Sequence, residues 1–555
     1  MNKNLIFLEA KNTTIKPDSR SGFLLVSIKN KFMSVKILSA AIIGLEALVV
    51  LVEADSGGGD FGQITVVGLP DTTVNESRER VKSALRNSGL KYPKRKITVN
   101  LAPADVKKRG PAYDLPITIS ILALSNKLKI NYQEDIFIGE LSLEGELRAI
   151  KGALAIALAA KAAGLKRLFL PIQNAAEASL VSGLEIIALH NLKDLLAFLK
   201  GQINLKPYSQ EKNVLGRNNT TSLKPPINNL ESSDSSDSFD FAKIRGQKHA
   251  KRALEIMAAG CHNLLLCGPP GSGKTLLAKA SLKILPSLSL SECLEITKIY
   301  SISGKMKDAS LIKARPFRSP HHSASNSALI GGGPLPSPGE ISLAHGGLLF
   351  LDEFPEFSRS AIESLRQPLE DGKINISRAN ASLDFPAKFI LLAAMNPCPC
   401  GYLGDSKKNC RCLEKQIIKY QNKLSGPILD RLDLFSEVKR LEIPELEKLE
   451  EEESSETIKQ RVEKARNRQA ERYQKYNFKV NGDIPGPLVK KFCQLENPAL
   501  GLLKNAAEKL VLSGRSYFKL LKVAKTISDL DENNKSEVIK LKHLAEALQY
   551  RRQEN

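Results

Sequence analysis

The sequence predicts an α/β protein in three parts: a mixed α+β domain, a central parallel-sheet core, and a helical C-terminal region. Three observations predict it. Residues 268–275 read Gly-Pro-Pro-Gly-Ser-Gly-Lys-Thr, after the apolar run Asn263 to Cys267 and before the helix-forming Leu-Leu-Ala-Lys-Ala. A second apolar run, Gly347 to Leu351, ends in the carboxylates Asp352 and Glu353. Between residues 206 and 238, Asn, Ser, Thr, Pro and Asp dominate, a composition that cannot bury enough apolar surface to offset its ordering entropy.

The chain has 555 residues, too many for one hydrophobic core, and 42% are hydrophobic, which is ordinary for a globular protein. No run of apolar residues is long enough to span a bilayer; the nearest, Ile37 to Val52, carries Glu46. No secretory signal is evident, so a cytoplasmic location without a membrane partner is expected. Lys plus Arg number 81 against 60 Asp plus Glu, a formal charge of +21. That excess suits a polyanion partner, or reflects a lysine-rich bias spread over the surface.

Taken in order, residues 1–32 are polar and weakly patterned and read as an extension or a mis-called start, with Met33 a candidate first residue. From 33 to 205 short strands alternate with helices: Val35 to Ile42, Gln63 to Gly68 and Lys96 to Leu101 read as strands, Val74 to Ser88 and Leu154 to Ala163 as helices. Residues 206–238 read as a flexible linker, 239–443 as the ATPase core and 444–555 as a helical lid. The acidic run Glu445 to Glu456 reads as a solvated helix face.

The chemistry lies in the core. In a phosphate-binding loop, Gly268, Gly271 and Gly273 let backbone N–H groups turn inward around the phosphates, with Pro269, Pro270 and Ser272 completing the turn. Lys274 supplies a point charge to the β- and γ-phosphates, Thr275 a hydroxyl to Mg²⁺, and the following helix N-terminus favours the anion. In a strand buried on both faces, charges belong at the carboxyl end. Asp352 is therefore the second Mg²⁺ residue and Glu353 the base that polarises the attacking water. Together the two motifs predict hydrolysis of ATP.

Residues 398–412 contain two Cys-x-Cys pairs, Cys398 with Cys400 and Cys410 with Cys412. Four thiolates around a closed loop fit a structural, tetrahedral Zn²⁺; a disulfide pair or unliganded thiols are the alternatives. Cys261, Cys267, Cys293 and Cys493 are scattered and read as reduced.

Several stretches carry a family resemblance. They are Gly68 to Val81, Asn100 to Asp105, Arg315 to Ser323, Gly331 to Gly333, Pro338 to Gly346 and Asn396 to Tyr402. On these the chain resembles the YifB/ComM family of bacterial magnesium-chelatase-like AAA+ ATPases, from Met33 onward. The resemblance implies that Asn396 is sensor 1, Arg431 an arginine finger reaching a neighbouring subunit's nucleotide, and Arg515 sensor 2. The local alternatives are a turn at Asn396, an ion pair of Arg431 with Asp430 or Asp433, and a surface arginine at 515. A finger supplied in trans implies a homo-oligomeric ring, a hexamer.

Lys373 to Phe385, with period-two patterning, looks like the hairpin that this branch points into its pore, with Arg378 near the tip and Lys373 as DNA contacts; the alternative for Arg378 is a solvated hairpin arginine. His321 and His322 read as a loop that responds to nucleotide or lines the pore. The first domain resembles a Lon-protease-type (S5 domain 2-like) domain, but Ala112 and Leu154 stand where active relatives carry the serine and lysine, so proteolysis is not expected. The family implies a DNA helicase or translocase promoting branch migration in recombination or natural transformation, on branched or single-stranded DNA. The alternative is an ATPase that remodels a protein client such as a metal-chelatase partner.

Overall fold

The computed structural model describes residues 34–208, 239–441 and 452–551, apart from short stretches at 58–62, 91, 93–94, 125–127, 129, 131–133, 307–309, 334–335, 379–380, 406, 511 and 535. The expected extension, nearly all of the expected linker and most of the acidic run lie outside the described residues.

The first sheet is built from β1 (Val35–Ile43), β2 (Glu46–Gly57), β3 (Ile64–Val67), β4 (Lys96–Ala102), β5 (Asp135–Phe137), β8 (Arg167–Pro171) and β9 (Glu185–Leu189), with a small separate hairpin of β6 (Glu140–Leu141) and β7 (Leu147–Arg148). Its order is β3-β4-β2-β1-β5-β8-β9. The β1–β2 and β2–β4 pairs are antiparallel and the other neighbours parallel. Gly44, in the left-handed region at φ +62°, closes the tight β1–β2 turn. Successive residues point to opposite faces, so Ile136, Leu168 and Ile186 enter one apolar cluster while Phe137, Phe169 and Ile187 enter another. Helix Thr72–Asn87, capped by Asp71 Oδ1 on Val74 N at 2.8 Å, and the buried helix Asp114–Leu124 cover one face. Helix Ala153–Ala162 covers the other.

The second sheet has β10 (Leu264–Cys267), β11 (Phe317–Arg318), β14 (Leu348–Leu351), β17 (Ile390–Met395) and β18 (Leu434–Glu437), in the order β11-β14-β17-β10-β18, all parallel. The ribbon of β12 (Gly331–Gly332) and β13 (Ser337–Pro338) lies in the long segment between the two ATPase motifs. Leu264, Leu266, Leu348, Phe350, Leu392 and Ala394 face one side, where they share a core with Ile458, Val462, Leu521 and Tyr550 of the C-terminal helices. Leu265, Leu349, Leu351, Leu391 and Ala393 face the other. There they meet the hairpin of β15 (Lys373–Arg378) and β16 (Ala381–Pro386), which contributes Ile374, Ile376 and Phe385. The helical C-terminal region therefore packs into the core of the ATPase sheet rather than forming a separate core. Among the described residues no helix is long and apolar enough to cross a membrane.

Candidate active site

Parallel strands place their carboxyl ends along one edge of the sheet, and each sequence motif ends a strand there. β10 runs into the loop Gly268 to Thr275, β14 into Asp352 and Glu353, and β17, between them, into Asn396. The helix Lys274–Ile284 starts at the loop, so its N-terminal amides face the same space. Gly271 and Gly273 adopt φ of +75° and +93°, the left-handed region the loop needs. Gly268 is required for a different reason: a Cβ there would lie 2.1 Å from the carbonyl oxygen of Val438, just past β18.

Lys274 is buried, and its Nζ donates to the carbonyls of Gly268 (2.7 Å) and Pro269 (2.9 Å) and to Asn396 Oδ1 (3.2 Å). Burial pushes its ammonium below the usual lysine range, against the attraction of Asp352. Thr275 Oγ1 donates to Asp352 Oδ2 at 2.8 Å, and Glu353 N donates to Asp352 Oδ1 at 2.9 Å. A hydroxyl and a carboxylate in contact at a helix start are hard oxygen donors of the kind Mg²⁺ takes alongside nucleotide phosphates. Ser272 Oγ, within the loop, is buried without a hydrogen-bond partner among the described residues, as suits a group facing an anion.

Glu353 occupies the left-handed region (φ 52°, ψ 43°), rare for a residue with a side chain and a form of strain that collects at working sites. Its Oε2 lies 3.1 Å from His322 Nδ1. His321 and His322 read as a loop that responds to nucleotide or lines the pore, with no partner named. The structure identifies the partner as Glu353, a contact that no spacing rule reveals because 31 residues separate the two.

The arginines lie elsewhere. Arg431 precedes β18, and Asn263 Nδ2, just before β10, donates to its carbonyl at 3.0 Å. Arg431 is thus at the edge where the strands begin, separated from its own phosphate loop by the length of β10, about 13 Å for four residues. Its side chain pairs with neither Asp430 nor Asp433. Asp433 instead accepts from Asn263 N at 3.0 Å and faces Lys519 at 3.2 Å, while Arg431 Nη2 reaches Glu370 Oε1 at 2.6 Å. Arg515, in the first turn of helix Gly514–Leu530, also pairs with Glu370 Oε1. The two guanidiniums, Arg431 first, hold the Glu370 carboxyl below its usual range. Arg431 Nε is buried without a hydrogen-bond partner among the described residues. Glu370 was missing from the expected site; it sits on helix Arg366–Asp371, immediately before β15.

The hairpin forms with register Lys373↔Pro386 to Arg378↔Ala381, which puts Arg378 beside the turn; its side chain lies outside what is described. Lys373 is engaged with Asp384 at 3.0 Å. The four clustered cysteines converge, with all four Sγ atoms within 4.8 Å of one another. Cys398 Sγ lies 3.4 Å from Cys400 Sγ and 3.6 Å from Cys410 Sγ, well beyond a disulfide's ~2 Å. This arrangement is compatible with a tetrahedral dication. In the first domain, Ala112, in the turn Pro111–Tyr113, and Leu154, in helix Ala153–Ala162, share one apolar cluster.

Comparison with known proteins gives matches over most of the chain. Family models described as magnesium chelatase, subunit ChlI match residues 240–446, as subunit ChlI of Mg-chelatase residues 52–174, and as its C-terminal part residues 452–551. A protein named YifB from Escherichia coli is 43% identical over 94% of this chain and 97% of its own length. Competence protein ComM from Haemophilus influenzae is 44% identical over 93% of this chain and 97% of its own. YifB from Salmonella typhimurium is 42% identical, over 92% and 96%.

Proposed function

The chain belongs to the YifB/ComM family of magnesium-chelatase-like AAA+ ATPases, and on that premise we propose that it is an ATP-hydrolysing motor that works on DNA as a ring of identical copies. One observation carries the reading. The phosphate loop, Asp352, Glu353 and Asn396 occupy one edge of the sheet, whereas Arg431 and Arg515 occupy the other, so a complete site needs the arginine edge of a second copy. A closed ring, a hexamer, lets every copy give one edge and receive the other.

In this mechanism the backbone amides of Gly271 to Gly273 and the Lys274 ammonium hold the phosphates, and Thr275 and Asp352 would hold Mg²⁺, which neutralises phosphate charge when bound. Asn396 and Glu353 position the water, and Glu353 takes its proton. Arg431, with Arg515 beside it, stabilises charge on the phosphoryl group of the neighbouring copy. Cys398, Cys400, Cys410 and Cys412 hold a structural Zn²⁺. The C-terminal helices serve as the lid, and the first domain, Lon-like without a nucleophile at Ala112 or a base at Leu154, is a structural or DNA-binding module. Arg378 and Lys373 face DNA from the hairpin.

The net charge of +21 and the name of the competence relative favour DNA, and branch migration in recombination or transformation. The test is ATP turnover alone and with single-stranded, duplex and four-way-junction DNA, with Glu353→Gln as the blank. Turnover stimulated most by the junction supports the reading. Turnover that no DNA changes overturns it and favours a protein client, the role suggested by the chelatase family matches.

A further inference from the structure

The cysteine loop is built onto the nucleotide site at several points. Cys398 follows Asn396 by two residues and is buried. The chain then turns at Gly401 (φ +84°), which lies so close to the phosphate loop that a Cβ would stand 2.5 Å from Pro270 Cδ and 3.8 Å from Asn396 Cγ. Beyond Cys412 the helix Glu414–Gln421 returns to the same place, where Gln421 Nε2 donates to the carbonyl of Pro397 at 3.2 Å. A third tie runs through Tyr402, whose ring lies 6.0 Å from the Arg440 guanidinium; Arg440 also faces Asp405 at 3.7 Å. Arg440 stands two residues after Val438, whose carbonyl meets Gly268. The loop therefore touches both the entrance of the phosphate loop and Asn396, the residue that follows β17.

Inside the loop, Asp405 Oδ1 closes one turn by accepting from Lys407 N (2.8 Å) and Lys408 N (3.1 Å), but no regular element holds the loop in shape. Among its described residues, 398–412 contain no helix or strand, and only Cys398 and Gly401 are buried. What converges inside it is sulfur. Tetrahedral coordination at about 2.3 Å spaces sulfur atoms about 3.8 Å apart. The 3.4 Å and 3.6 Å separations of Cys398, Cys400 and Cys410 lie near that value. Cys400 N donates to Cys412 Sγ (3.4 Å) and Cys412 N to Cys410 Sγ (3.5 Å), amide contacts that suit charged thiolates. Four sulfur donors select a soft or borderline dication over Mg²⁺, which takes oxygen.

We propose that Cys398, Cys400, Cys410 and Cys412 bind one divalent metal of the zinc class, and that this metal is the clamp that fixes Pro270 and Asn396 in place. Nucleotide binding at the phosphate loop then depends on a second metal, chemically distinct from the Mg²⁺ that accompanies ATP. The inference rests on the zinc reading above and extends it from a fold support to a determinant of the active site. With the metal gone, the loop loses its cross-link. Gly401 is then free to leave Pro270, and the turn that presents the loop amides relaxes.

The test uses the full chain and separates metal from turnover. Elemental analysis of the purified protein should find one zinc-class ion per chain, absent from the Cys398→Ser/Cys400→Ser variant. Release with a mercurial thiol reagent, followed by its reversal with excess thiol, gives metal-free wild type without mutation. Affinity for a fluorescent non-hydrolysable ATP analogue in Mg²⁺ should fall tenfold or more on release and return when Zn²⁺ alone is added back. Cys410→His, which keeps a four-ligand set, should retain both metal and affinity, so that loss in the double variant is not mistaken for misfolding. Protein without stoichiometric metal overturns the zinc reading and the inference together. Bound metal whose removal leaves nucleotide affinity unchanged overturns the inference alone.

Discussion

The two edges of the parallel sheet were assembled in different ways. At the carboxyl edge, each functional group belongs to a short contiguous motif that ends a strand: residues 268–275 after β10, Asp352–Glu353 after β14, Asn396 after β17. At the opposite edge, Arg431, Arg515 and Glu370 come from three distant segments, the last two 145 residues apart, and meet only as side chains. A phosphate loop works through its own backbone, so its chemistry is written locally. A carboxylate that gathers two guanidiniums has no spacing rule, because tertiary packing alone brings the three together.

The largest effect should come from breaking the arginine edge. Arg431→Ala is expected to lower ATP turnover by about 10³-fold or more, as for other arginines supplied to a transferring phosphoryl group, with nucleotide affinity nearly retained. Glu353→Gln should cost about 10²- to 10⁴-fold through loss of the base. Mixing the two inactive proteins sharpens the comparison. A ring containing both has some interfaces with one intact edge from each copy, so turnover should reappear on mixing, measured by phosphate release. Two inactive proteins that stay inactive when shown to co-assemble would place both edges in one copy's site.

A smaller effect is expected from Gly268→Ala. The new methyl meets the Val438 carbonyl at 2.1 Å, and backbone cannot swing aside as a flexible side chain would, so stability should fall by about 1–3 kcal/mol in a denaturation titration. Gly271→Ala, strained only by its φ of +75°, has open space around its Cα and should cost less, about 1 kcal/mol.

Glu370→Gln should change turnover by a few-fold, since it frees the arginines without removing them. The sign with pH follows from the direction of the Glu370 shift. A carboxyl held low by Arg431 and Arg515 contributes above its unfolded value, about 4.3, and the contribution is lost only as pH falls through the lower folded value. The ratio of wild-type to Glu370→Gln turnover should therefore stay flat from pH 6 to 8. A ratio that titrates in that window would show that another group holds the pair.

Much of the carboxyl edge was legible because phosphate binding constrains glycine, lysine, hydroxyl and carboxylate positions over a few residues. The hairpin Lys373–Pro386 was legible for a similar reason, its period-two pattern placing Ile374, Ile376 and Phe385 on the buried side. The engagement of Lys373 with Asp384 was not, and neither was the pairing of His322 with Glu353, since each depends on which side chains share a surface. For Gly268 the residue was anticipated but the reason differed: the neighbour that excludes a side chain, Val438, lies 170 residues on, just past the strand β18 that pairs with β10.

By itself, then, the amino-acid sequence determined that this protein carries an ATPase sheet, which strands end in chemistry, and that four cysteines lie close enough along the chain to converge. Those properties follow from local spacing and from the burial pattern of strands. Only the tertiary structure decided that the C-terminal helices share the core of that sheet, that Arg431 and Arg515 stand on Glu370 across the sheet from their own phosphate loop, and that the cysteine loop rests on Pro270. These are contacts between segments far apart in the chain, set by which apolar faces must be buried against one another, and no local pattern encodes them.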